Sequence, residues 1–192
     1  MLNVRIFGIK IRISYMFLLA VTLLLLTDRT GLMTASLLAI IIHESAHLLA
    51  IKILKIKCDS VELMYSTLRI NSDINTDNKK SLAVILSGPM INFLLSPLAL
   101  AENEYIKYLG ISSLIVGVFN IIPAKGLDGG DALYHLLRAL KIKNPNFVYS
   151  LISYFSIGII IFLGGVLILF MRSNPSLLIV GVYLLIMSFY KI

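Results

Sequence analysis

Six predominantly apolar runs, at 14–27, 33–54, 81–101, 106–122, 147–171 and 176–190, constrain this chain more than any other feature. A helix needs roughly 20 apolar residues to cross a hydrocarbon core about 30 Å thick, and most of the runs approach that length. With 58% hydrophobic and 14% charged residues and a mean hydropathy of +0.93, too little polar surface remains to cover a water-soluble globule. No Ser/Gly/Pro-rich or highly charged stretch is long enough to link two domains. The expected architecture is an all-α polytopic membrane protein, one integral domain over 1–192 with about six transmembrane helices.

The charges give a direction to these spans. A net charge of +7 would suggest nucleic acid in a soluble protein, but the basic residues cluster between apolar runs, where they set membrane topology. Nucleic-acid binding is therefore excluded. With the N-terminus inside, fourteen of the 17 Lys and Arg residues fall in cytoplasmic segments, and only Arg29, Lys107 and Arg172 fall outside. Six spans then leave both termini cytoplasmic. The first run follows Arg5, Lys10 and Arg12 as a signal peptide would, yet Thr27-Asp28-Arg29 offers no small-residue cleavage site, which predicts a retained helix.

Between the second and third runs, Val61, Leu63 and Tyr65 alternate with Glu62 and Met64, and Leu68 and Ile70 flank Arg69. This period of two predicts a short β-hairpin at the membrane surface. Such a hairpin offers backbone for an extended peptide to pair with, and the expectation is strand addition along Val61 to Ile70. The single cysteine, Cys58, excludes an internal disulfide.

The chemistry is concentrated in His43-Glu44-Ser45-Ala46-His47, inside the second run. Residues four apart share a helix face, so both imidazoles can bind one metal ion while Glu44 reaches its water. With three His and four Glu in the chain, chance would place this pattern about once in a thousand such sequences. A charged Glu44 within a bilayer also costs roughly 2.5 to 3.5 kcal/mol, which a bound Zn²⁺ would help offset. Catalytic zinc has three protein ligands and an open position. The candidates for the third are Asp128, Asp131 and His135, which follow the fourth run where it ends at the cytoplasmic face. Asp128 is favoured because Asn120-Ile-Ile-Pro123-Ala-Lys-Gly126-Leu127-Asp128-Gly129-Gly130 breaks the helix and aims a carboxylate sideways.

Taken together, His43-Glu44-x-x-His47, Asn120-x-x-Pro123 and Leu127-Asp128-Gly129-Gly130, with Gly88-Pro89-Met90-Ile91-Asn92 in the third run, resemble the site-2 protease family of intramembrane metalloproteases. The resemblance covers most of the first 140 residues and is greatest to the small sporulation-associated branch, whose members cleave a membrane-associated transcription-factor precursor. It implies that His43, His47 and Asp128 hold zinc, that Glu44 is the general base, and that Asn120 positions substrate or assists the oxyanion. It also implies a membrane-embedded or membrane-tethered protein substrate, a membrane regulatory protein as partner, and a multi-pass place in the cell membrane. The Lys-, Ile- and Asn-rich composition points to a bacterial source. The alternative is a metal carrier or a pseudoprotease that binds transmembrane partners. Neither needs a base such as Glu44 beside an open metal site, so the enzyme is favoured.

Overall fold

Short alternating segments bracket the first two helices. In the computed structural model, which describes residues 2–6, 9–13, 15–56, 58–64, 67–72, 78–171 and 175–190, the chain opens with strands β1 (Leu2–Ile6) and β2 (Ile9–Ile13). Helices α1 (Tyr15–Thr27) and α2 (Leu32–Ile53) follow, then β3 (Cys58–Met64) and β4 (Thr67–Ser72). The four strands form one sheet in the order β1-β2-β3-β4. β3 and β4 pair antiparallel, with Val61 opposite Ile70 and Leu63 opposite Leu68, and β2 runs parallel to β3, with Ile13 opposite Leu63. Strands β1 and β2 are additional to the expected hairpin. Ile9, Ile11 and Ile13 alternate with Lys10 and Arg12, a period-two pattern that suits a strand while its charges suit a cytoplasmic segment. Because β3 is paired on both sides, an added strand has β4, not β3, to join. Tyr65 lies outside the described residues, as do the charges Lys57, Arg172 and Lys191.

The remaining helices are α3 (Asn78–Leu95), continued by a 3₁₀ turn at Ser96–Leu100, α4 (Glu104–Asn120), α5 (Asp128–Ala139), α6 (Pro145–Met171) and α7 (Ser176–Tyr190). Among the described residues, three helical stretches are long and apolar enough to cross a membrane: Leu32–Ile53, Asn78–Leu100 and Pro145–Phe170. The other three expected spans coincide with α1, α4 and α7, of 13, 17 and 15 residues. Helix α5 is additional to the expected helices, because the Gly pair at its start reads locally as a helix breaker.

Two compact units make up the chain, 1–118 and 119–192. In the first, α2 packs along α3, and the Ser36 and Ser112 hydroxyls join α2 to α4 at 2.9 Å. The start of α2 is fixed by Asp28. Its carboxylate accepts the N–H groups of Gly31 and Thr34 at 2.8 and 2.7 Å and the Thr34 hydroxyl at 2.6 Å, supplying acceptors that the first turn of a helix lacks. The end of α2 is closed by Lys55 at φ 51, with the Ile56 N–H donating to the Ile51 carbonyl at 3.0 Å.

In the second unit, Ala124, Leu127, Ile157, Ile160 and Leu184 form a buried cluster. Helices α6 and α7 meet at Gly164, where a Cβ would lie 2.7 Å from the Leu178 backbone nitrogen. Small residues permit such approaches in a bilayer, where apolar burial between helices gives little drive. The distribution of side chains agrees: Ser153, Ser156 and Ser188 are buried, whereas Phe155, Phe162 and Phe170 are exposed. That is the reverse of a water-soluble protein and fits a lipid-facing exterior.

Candidate metal centre

Helix α2 brings His43 and His47 to its buried face, one turn apart. Their Nε2 atoms are 3.2 Å apart, and the ring planes meet at 83°. Each ring is held from behind by α3. His47 Nδ1 lies 2.8 Å from the Val84 carbonyl, which accepts its proton and so places the ring's lone pair on Nε2, the nitrogen that faces His43. The Ser87 hydroxyl donates to the same carbonyl at 2.6 Å. His43 Nδ1 lies 3.0 Å from Nδ2 of Asn92, which is fully buried. Glu44, the next residue along α2, is half-buried.

Gly88 supplies the test of whether a metal fits. A Cβ built there would overlap His47 Nε2 and stand 2.7 Å from His43 Nε2. The missing methyl thus leaves open the space in front of both Nε2 atoms, where zinc–nitrogen bonds are about 2.0–2.1 Å long. Two neutral imidazoles with their outer nitrogens engaged are a zinc-type donor set. Val84, Gly88 and Asn92 recur every four residues on α3, as His43 and His47 do on α2, so two helix faces of matched period meet here. In the sequence Gly88 stands only as a motif residue, and Asn92 as a motif residue suited to a helix-packing hydrogen bond, which it makes to His43. The matching four-residue spacing was the signal that could have found their place at the centre.

On α5, Asp128 and Asp131 occupy the first turn, where the helix dipole favours negative charge. Asp128 is half-buried and Asp131 exposed. The turn is seated by two glycines: a Cβ on Gly129 would overlap the Ile121 carbonyl, and one on Gly130 the Ala124 carbonyl. Helix α4 ends at Asn120, which is half-buried, and Gly126 takes φ 98 in the connection that leads to Asp128. That loop is anchored by Lys125, whose N–H bonds the Ser153 hydroxyl and whose ammonium donates to the Ser188 carbonyl at 2.7 Å. The Asp128 carboxylate therefore leaves from a helix N-terminus on a glycine-seated turn, not from a loop. The ligand atoms of His43, His47 and Asp128 lie within 4.8 Å of one another, so this group could hold a metal ion.

Asp131 and His135 do not belong to that group among the described residues. His135 is buried on α5, its ring 5.6 Å from that of Tyr134. Burial, aided by the Arg138 charge, lowers its pKa and favours the neutral imidazole.

No protein-family model and no curated protein matches the chain. Among solved structures it is similar to the site-2 protease from Methanocaldococcus jannaschii, with a TM-score of 0.62 and 20% sequence identity over 95% of this chain and 91% of that one. The order of strands and helices among the described residues thus follows the fold of that site-2 protease.

Proposed function

We propose that this chain is a zinc-dependent intramembrane endopeptidase that cuts a membrane-embedded or membrane-tethered protein near the cytoplasmic face. In this reading His43, His47 and Asp128 hold the zinc ion, and the whole chain acts as one membrane domain. The observation that carries it is the open space in front of Gly88, faced by two imidazoles whose outer nitrogens are engaged by α3.

A zinc ion bound there supplies Lewis acidity, which acidifies a water and polarises a peptide carbonyl. The protein's own part is acid–base and positional. Glu44, adjacent to a ligand on α2, takes the water's proton and returns it to the leaving amine. Asn120, at the end of α4, offers an amide N–H to the substrate carbonyl as negative charge develops on its oxygen. The half-buried setting of Glu44 limits competing bulk water while leaving room for an unwound peptide.

Six crossings with both termini in the cytoplasm support access from that side, and strand pairing provides an argument separate from charge. β2 precedes α1, β3 follows α2, and the two strands hydrogen-bond to each other. In this reading they share one side of the membrane, and the number of crossings between them is even. Since α2 is long enough to cross, α1 returns the chain despite its 13 residues. By its resemblance to the sporulation-associated branch, the product is a released signalling or transcription factor in a bacterial cell, and a membrane regulatory protein controls the cut.

The decisive comparison is wild type against Glu44→Gln, co-expressed with a membrane-tethered reporter and assayed for zinc. Zinc content is expected to persist while cleavage falls at least about a hundredfold. Undiminished cleavage would remove Glu44 from the mechanism, and zinc transport that survives the substitution without any cleavage by wild type would favour the metal carrier.

A further inference from the structure

The Asn92 side chain is fully buried on α3, yet its Oδ1 has no hydrogen-bond partner among the described residues. Its Nδ2 lies 3.0 Å from His43 Nδ1. Unpartnered oxygen is costly in such a place, and the identity of the neighbouring atom gives it meaning. An amide nitrogen only donates, so His43 Nδ1 must accept, which puts the His43 proton on Nε2. That arrangement suits a site without metal. His43 Nε2–H then points at His47 Nε2, 3.2 Å away, and the His47 Nδ1–H continues to the Val84 carbonyl.

A metal held at Nε2 demands the opposite. His43 must carry its proton on Nδ1, and two donors would then face each other across 3.0 Å. Turning the Asn92 amide by half a rotation resolves the conflict, because oxygen and NH₂ are of nearly equal size and Oδ1 arrives where Nδ2 stood. The new bond is His43 Nδ1–H to Asn92 Oδ1, and the unpartnered atom becomes a donor instead of an acceptor. On the reading of the site as a zinc centre, we propose that Asn92 is a positioning residue whose amide turns over as metal binds, fixing His43 in the tautomer that ligates through Nε2. The residue acts through His43 and does not touch substrate.

The test uses the full-length chain in detergent, with zinc affinity measured by competition against a chromophoric chelator. Asn92→Leu keeps the volume and removes the acceptor, and it is expected to weaken zinc roughly 10- to 100-fold, the usual effect of losing a partner behind a ligating His. Asn92→Asp keeps an acceptor oxygen and is expected to bind zinc within about threefold of wild type, or tighter. A Leu variant that matches wild type would overturn the proposal, and so would an Asp variant weakened as much as Leu, because shape alone would then explain both. Nitrogen-15 NMR of zinc-loaded wild type needs no variant to fold: the His43 ring proton is expected on Nδ1, and a proton on Nε2 would overturn the proposal. Failure of the wild-type chain to bind zinc at all would instead sink the metal centre itself, and Asn92 with it.

Discussion

At the scale of single residues, the least conspicuous position governs the chemistry. Gly88 contributes no functional group, but any side chain in its place would meet both His Nε2 atoms. Gly88→Ala is therefore expected to reduce zinc content from about one ion per chain to near zero, while helix content measured by circular dichroism stays close to wild type. A fully zinc-loaded alanine variant would show that the ion sits elsewhere. His43, His47 and Asp128 are legible in the sequence as a group that could hold a metal, because metal chemistry restricts residue types and spacing. Gly88 is legible only as a motif letter and Asn92 only as a helix-packing residue, since their places at the centre depend on what a second helix lays against them.

Among the elements, α2 depends most on its entry, because it must present both histidines from a helix that begins in a tight turn. Hydrogen bonds from the Thr34 side chain and backbone, with further ones from Gly31 and Thr30, lower the Asp28 pKa from 3.8 to about 2. A carboxylate whose folded-state value lies below its unfolded one adds stability above pH 4, and that contribution is lost as pH falls from about 4 to about 2. Asp28→Ala is expected to lower the melting temperature of the detergent-solubilised protein at pH 7 by a few degrees, as the loss of a helix cap does. The difference from wild type should shrink toward pH 2. A difference that is constant with pH would mean that the carboxylate's charge is not what holds the turn. The apolar runs disclosed the long helices but not α5, whose first turn rests on Gly129 and Gly130; glycine pairs read locally as breakers, and only the backbone beneath them makes them a seat.

For the whole molecule, charge and strand pairing make the same prediction by different physics. Attraction of Lys and Arg to the cytoplasmic side places Arg29 outside and Lys141 inside, and the β2–β3 ladder requires an even number of crossings between residues 13 and 58. In a Cys58→Ser background, Arg29→Cys is expected to react with an impermeant thiol reagent in intact cells, and Lys141→Cys only after lysis. Labelling in the reverse order would invert the orientation. The three helices long enough to cross were visible from composition because a bilayer demands apolar runs of a certain length, whereas the sheet was half hidden, since partners about fifty residues apart leave no local trace of each other. That separation also orders the protein's biogenesis. The first hairpin emerges from the ribosome with an open edge and cannot complete its sheet until both intervening helices and β4, which ends at Ser72, have been synthesised. The N-terminal arm is in this way a clasp left undone during insertion, and a chain stalled before β3 would expose a ready template for unwanted pairing.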